Sequence, residues 1–169
     1  AVRTEDGPYP IVMFSHGSGG IRMQSTHLVV PLASHGYVVV APDHYGNTLS
    51  DILLDGDLTT DTLLESLGDR TLDLDYVVDH LQDGGQSEIS DWADFDRMGV
   101  AGHSFGALTT VRWIGKGADV KAAVAQAPPP FDIVWLGIPD ELASYDVPLQ
   151  LHVGGMDLTT PPADADSVW

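Results

Sequence analysis

The stretch from 97 to 110 limits what this chain can fold into more than any other. Arg97-Met98-Gly99-Val100-Ala101 reads as a short apolar strand, Gly102-His103-Ser104-Phe105-Gly106 as a very sharp turn, and Ala107-Leu108-Thr109-Thr110 as the opening of a helix. A serine thrust out between a strand and a helix lies against neighbouring backbone. The positions two before and two after it must therefore lack a Cβ or nearly so, and both are glycine. The helix that follows aims unpaired N–H groups at the serine's surroundings, where they favour negative charge. A plain Gly/Ser turn between a strand and a helix has the same pattern, so the neighbouring segments decide between the two.

Those segments alternate. Residues 9–14 form an apolar strand that runs into the glycine-rich loop Ser15-His16-Gly17-Ser18-Gly19-Gly20. Residues 23–34 have helical spacing, with Pro31 expected to kink or stop the helix. A β-branched strand occupies 36–42 and a loop 43–47, followed by an acidic stretch, 50–60, with no strong period. A helix is expected from about 62 to 81, its stripe made by Leu63, Leu64, Leu67, Leu72, Tyr76, Val77 and Leu81, and broken in two at Gly68. Residues 87–96 read as an acidic connection, 120–126 and 148–155 as further strands, and 131–146 as irregular. Strands alternating with helices imply an α/β fold, a mostly parallel sheet with right-handed crossovers flanked by helices. At 169 residues the chain is expected to form one domain.

In such a sheet, ligands bind beyond the carboxyl ends of the strands. The loops at 15–20, 43–47, 103–106, 127–131 and 155–161 all leave strand ends, so they should share one rim. Composition narrows what that rim can bind. Twenty-five acidic residues against seven Lys+Arg give a formal net charge of −18, a surface that repels nucleic acid and anionic membranes. With no cysteine, thiol nucleophiles, disulfides and cysteine-ligated metals are excluded. No apolar run approaches the roughly 20 residues of a membrane span. The first residues do not read as a secretion signal, but such a signal is cleaved from a mature chain, so the compartment of this soluble chain stays open, secreted or periplasmic included.

An acyl-transfer site needs a nucleophile, a base, an acid to orient the base, and donors for an oxyanion. Ser104 is the candidate nucleophile, and the N–H of Phe105, next in the chain, one candidate donor. The loop after the first strand should give the second, best from the N–H of Ser18. That loop could alternatively cradle a phosphate, but it lacks the Lys-Ser/Thr of a phosphate loop. Asp157 follows the second strand beyond the elbow, where an orienting acid belongs. Met23, Tyr45, Trp135 and the Phe105 ring are candidates for lining a substrate pocket, and each residue type fits plain packing as well.

Four segments in this order resemble one group of proteins: 14–20, 36–44 with Ala41-Pro42-Asp43-His44, Gly102-His103-Ser104-Phe105-Gly106, and Gly155-Met156-Asp157 through Pro161. They are similar to the dienelactone-hydrolase-like α/β-hydrolases, relatives of the platelet-activating-factor acetylhydrolases and the cutinase-like polyester hydrolases. The resemblance covers about residues 9–162. It implies the α/β-hydrolase fold and a serine carboxylic-ester hydrolase that needs no metal or organic cofactor. Ser104 would be the nucleophile, Asp157 the triad acid, and the N–H groups of Ser18 and Phe105 the oxyanion hole.

One feature departs from the group. Its order is serine, aspartate, histidine, yet all seven histidines (16, 27, 35, 44, 80, 103 and 152) precede Asp157. His44 is the one on the active rim outside the turn motifs and is a candidate substituted base. The resemblance implies a truncated core, without the group's N-terminal strands and its C-terminal histidine segment. A second chain or a further segment would then supply the histidine, and these residues alone would be nearly inert as an esterase. The alternative function is a catalytically silent hydrolase-fold protein serving as a binding or interaction module.

Overall fold

A computed structural model describes residues 6–55, 59–85, 87–130 and 146–166. Its elements are β1 (Tyr9–Ser15), α1 (Thr26–Ser34), β2 (Val38–Val40), α2 (Leu49–Asp55), α3 (Thr60–Gln82), α4 (Ser87–Ser90), β3 (Ala93–His103), α5 (Phe105–Gly115), β4 (Ala122–Gln126), β5 (Leu149–His152) and α6 (Pro162–Asp166). The five strands form one parallel sheet in the order β2-β1-β3-β4-β5. Because every strand runs the same way, the loops after β1, β2, β3, β4 and β5 emerge along one edge, as the alternation of elements predicts.

The two faces of the sheet differ. On one, Ile11, Met13, Met98, Val100 and Ala123 pack with Leu74 and Val78 of α3 and with Trp113 and Ile114 of α5. A second cluster joins Leu67, Ala107, Leu108, Val111 and Ala125. This burial is the main source of cohesion, at about 25 cal/mol per Å² of apolar surface removed from water. On the other face, the small side of the central strands (Gly99, Ala101, Ala122, with Val12 and Val124) leaves an apolar hollow of about 410 Å³, roofed by Leu28 and Leu32 of α1.

Several local expectations are corrected. Gly68 does not break α3, which runs unbroken for 23 residues. A Thr59/Thr62 capping box starts the helix, and burial of Leu67, Leu74 and Leu81 outweighs the modest cost of one helical glycine. Pro31 likewise sits inside α1 without ending it, since it forfeits only one backbone bond in a nine-residue helix. That helix begins at Thr26 rather than 23, after Ser25 in a left-handed conformation (φ 60°). The acidic stretch beyond residue 48 forms α2. Its entry is tied by the Thr48 N–H (2.8 Å) and hydroxyl (2.7 Å), which both donate to the Asp51 carboxylate. Residues 87–96 hold α4 and the start of β3, which pairs with β1 from Tyr9↔Ala93 onward across a shift in register after Pro10. Residues 131–145 of the segment expected to be irregular, Trp135 among them, lie outside the described residues.

Candidate active site

β3 carries the chain to the rim and α5 takes it away, with Ser104 alone between them at φ 53°, ψ −118°. A non-glycine residue there stores about 1–3 kcal/mol of strain. The backbone bonds on both sides maintain it. The Ser104 N–H donates to the Gln126 carbonyl at the end of β4 (2.8 Å), and its carbonyl accepts from the Ala107 N–H (2.8 Å). The flanking glycines are required. A Cβ on Gly102 would overlap the Gly106 carbonyl, and one on Gly106 would overlap the Ser15 and His16 carbonyls.

The glycine-rich loop passes directly beside this turn: an added Cβ on Gly17 would lie 3.4 Å from the Ser104 Cβ. Its N–H groups are assigned one by one. Gly17 donates to the Gln24 side-chain oxygen (2.7 Å), Gly19 to the Asn47 carbonyl (3.2 Å) and Gly20 to the Gly17 carbonyl (3.0 Å). Among the described residues, the Ser18 N–H donates to no protein acceptor, and neither does the Phe105 N–H at the start of α5. The two amides named as oxyanion donors are thus uncommitted, whereas the Gly17, Gly19 and Gly20 N–H groups beside them are bonded.

Asp157 stands on the same rim. The Ala127 N–H donates to the His152 carbonyl (2.7 Å), joining the loop after β4 to the end of β5, and Asp157 follows five residues later. The Thr160 (3.0 Å) and Thr159 (2.8 Å) N–H groups donate to its Oδ1, and the Thr160 hydroxyl to its Oδ2 (2.9 Å). These bonds, the Thr160 N–H first, hold the carboxyl below the usual carboxylate range, and the charge also acts on His103, next to Ser104. Oδ2 keeps lone-pair capacity for an imidazole N–H. Because the folded value is depressed, this contribution is present above the ordinary carboxylate pKa and lost as pH falls through the lower folded value. The Thr159 and Thr160 amide resonances are expected to move together as pH is lowered from about 5 to about 2. Resonances that stay still through that window would mean the carboxylate does not hold the turn.

A cleft of about 520 Å³ lies beside the elbow, lined by Gln24, Ser25, His27, His103, Gln126, Ala127, His152, Val153 and Gly154. Met23 and Tyr45 stand on the neighbouring loops, 67% and 89% exposed. His103 has its Nδ1 bonded to the Gln24 side-chain nitrogen (3.0 Å), and burial lowers its pKa. His44 is bonded to groups other than Ser104. With Asp73 Oδ2 accepting from Nδ1 (2.7 Å), its Nε2 accepts from the Ser15 hydroxyl (2.9 Å), so both nitrogens of this wholly buried ring are engaged. His16 donates from Nδ1 to the Gly17 carbonyl (2.7 Å) and accepts the His44 N–H at Nε2 (3.1 Å), and burial pushes its pKa down to about 4. Among the described residues, no three His, Cys, Asp or Glu side chains are placed to hold a metal ion, and no helix is long and apolar enough to cross a membrane.

Sequence reasoning did not find Gln24, Asn47 or Arg70, which lock the loop from behind. Arg70 had a signal. It falls on the buried stripe of α3, between Leu67 and Leu74, where a lone cation is out of place.

A five-stranded parallel sheet, helices on its faces and a strained serine between strand and helix at its carboxyl edge define an α/β-hydrolase. A family model described as serine aminopeptidase, S33, matches residues 6–135, and the chain belongs to that family. A cutinase, est1 of Thermobifida alba, is 28% identical over 124 residues, covering 73% of this chain and 36% of the cutinase. A platelet-activating factor acetylhydrolase of Bos taurus is 26% identical over 154 residues, covering 69% of this chain and 34% of that protein. Among solved structures, an esterase of Pyrococcus furiosus superposes with a TM-score of 0.68 at 22% identity, covering 98% of this chain and 69% of the esterase. The chain spans about a third of the length of these curated relatives.

Proposed function

We propose that these residues form the nucleophile-bearing unit, a single α/β-hydrolase core, of a serine carboxylic-ester hydrolase. The observation that carries this reading is Ser104 at φ 53° and ψ −118°, on one rim with two uncommitted amide donors and a fixed carboxylate. The Ser104 hydroxyl adds to an ester carbonyl while a histidine outside those identified here takes its proton. The Ser18 and Phe105 N–H groups hold the oxyanion. The tetrahedral adduct collapses, the alcohol leaves with the histidine's proton, and water releases the acid from the acyl-enzyme. Asp157 orients and stabilises the histidine. The names of the relatives support an ester as substrate.

A fluorophosphonate probe tests this, because it reports an activated serine. With imidazole supplied in place of the histidine, labelling is expected at Ser104 and is expected to vanish in Ser104→Ala. A folded protein left unlabelled with imidazole present would favour the silent binding module instead.

A further inference from the structure

Arg70 is wholly buried, yet it makes no ion pair with a carboxylate among the described residues. The two terminal nitrogens of its guanidinium bind the loops after β1 and β2. Nη1 donates to the His16 carbonyl (2.6 Å) and to the Ser15 hydroxyl (3.2 Å). Nη2 donates to the Asn47 side-chain oxygen (2.7 Å) and, at 3.3 Å, to the Gly17 carbonyl. The planar head also lies over the Phe105 ring, 4.9 Å from its centroid. One buried cation in a chain of net charge −18 therefore touches both segments that carry the uncommitted amides.

The covalent geometry gives these contacts a consequence. In a trans peptide unit the carbonyl and the N–H point in opposite directions. The Gly17 carbonyl and the Ser18 N–H belong to one such unit. Its carbonyl accepts from the His16 ring (2.7 Å), the Gly20 N–H (3.0 Å) and Arg70 (3.3 Å). The preceding carbonyl, of His16, is also drawn to Arg70, and its partner N–H, of Gly17, is fixed by Gln24. Donors on a carbonyl polarise the whole unit and strengthen its N–H as a donor, more so in a water-poor interior. Burial pushes the guanidinium pKa down to about 9, which leaves it charged at neutral pH.

We propose that Arg70 is a positioning residue for ester hydrolysis: by binding the carbonyls of His16 and Gly17 and seating Phe105, it aims and polarises the Ser18 N–H toward the oxyanion formed at Ser104. The proposal rests on the ester-hydrolase reading of the site. It acts through the loop and touches no reacting atom. The Ser15-His44-Asp73 relay braces the same hydroxyl that accepts from Arg70, which fixes the guanidinium on its second side.

The test compares wild type, Arg70→Met and Arg70→Lys. It follows fluorophosphonate labelling of Ser104 with imidazole present, corrected for the folded fraction, and the Ser18 and Phe105 amide resonances. Loss of a whole oxyanion donor costs about 10²–10³-fold in other hydrolases. Arg70→Met is expected to approach that loss, and Arg70→Lys, which keeps the charge without the fork, to lose about 10-fold. In both, the Ser18 amide resonance should shift. With an ester substrate, kcat should fall while KM holds. A merely structural arginine would lower the melting temperature and leave the folded fraction labelling at the wild-type rate with an unmoved Ser18 resonance, and that result overturns the proposal. If Arg70→Met fails to fold, Arg70→Lys decides by the same criteria. A wild type that never labels, but whose Ser18 amide still depends on Arg70, would sink the hydrolase reading and leave the loop's dependence on Arg70 standing.

Discussion

Imidazole added to a polypeptide of these 169 residues is expected to accelerate Ser104-dependent hydrolysis of p-nitrophenyl acetate by about 10²-fold or more, the usual contribution of a positioned general base. His16 and His44 are buried with both ring nitrogens bonded, and His103 has its Nδ1 tied to Gln24. The cleft of about 520 Å³ beside the elbow has room for a free ring, and Asp157 holds its negative charge well below neutral pH. Imidazole also cleaves this ester in bulk solution, so the quantity to measure is the excess over the Ser104→Ala variant. An excess of zero, with both proteins folded, would mean that one of the histidines present already serves Ser104 or that the serine is not a nucleophile.

The second large effect is on stability. Gly106→Ala is expected to cost about 3 kcal/mol or more, a fall in melting temperature of roughly 6–12 °C for a chain of this size. Overfilling a core normally costs about 1–3 kcal/mol because side chains can shift. Here the new methyl would meet the Ser15 and His16 carbonyls, and those are fixed by strand β1 and by Arg70. Thermal unfolding by circular dichroism reads the effect. A variant melting within about 2 °C of wild type would mean that α5 can move away from β1 and that the elbow is looser than described.

The framework was legible because its signals are local. β-branched runs marked β1 and β2, and the strand–turn–helix pattern around Ser104 marked the elbow, whose φ of 53° only a tight, glycine-flanked turn accommodates. Where local propensity competed with burial, burial won. Gly68 looked like a helix breaker, but α3 gains more from burying Leu67, Leu74 and Leu81 than that residue costs, whereas Pro31 lies in α1, which buries no side chain, and forfeits only one backbone bond there. The lock behind the oxyanion loop was harder to see. Arg70 lies 54 residues from the carbonyl it holds, Gln24 is 79 residues from His103, and each reads in isolation as a polar residue on a helix or turn. Only the closing of the sheet brings them together. Arg70's place between two buried leucines was the one trace of that closure in the sequence.

The apolar hollow over Gly99, Ala101 and Ala122 bears on how this polypeptide should be handled at the bench. A greasy recess of about 410 Å³ in a native sheet is a ready seat for solvatochromic dyes such as anilinonaphthalene sulfonate. Bright fluorescence from such a dye would then accompany intact near-ultraviolet dichroism, and would report an open recess in a native molecule rather than a molten one.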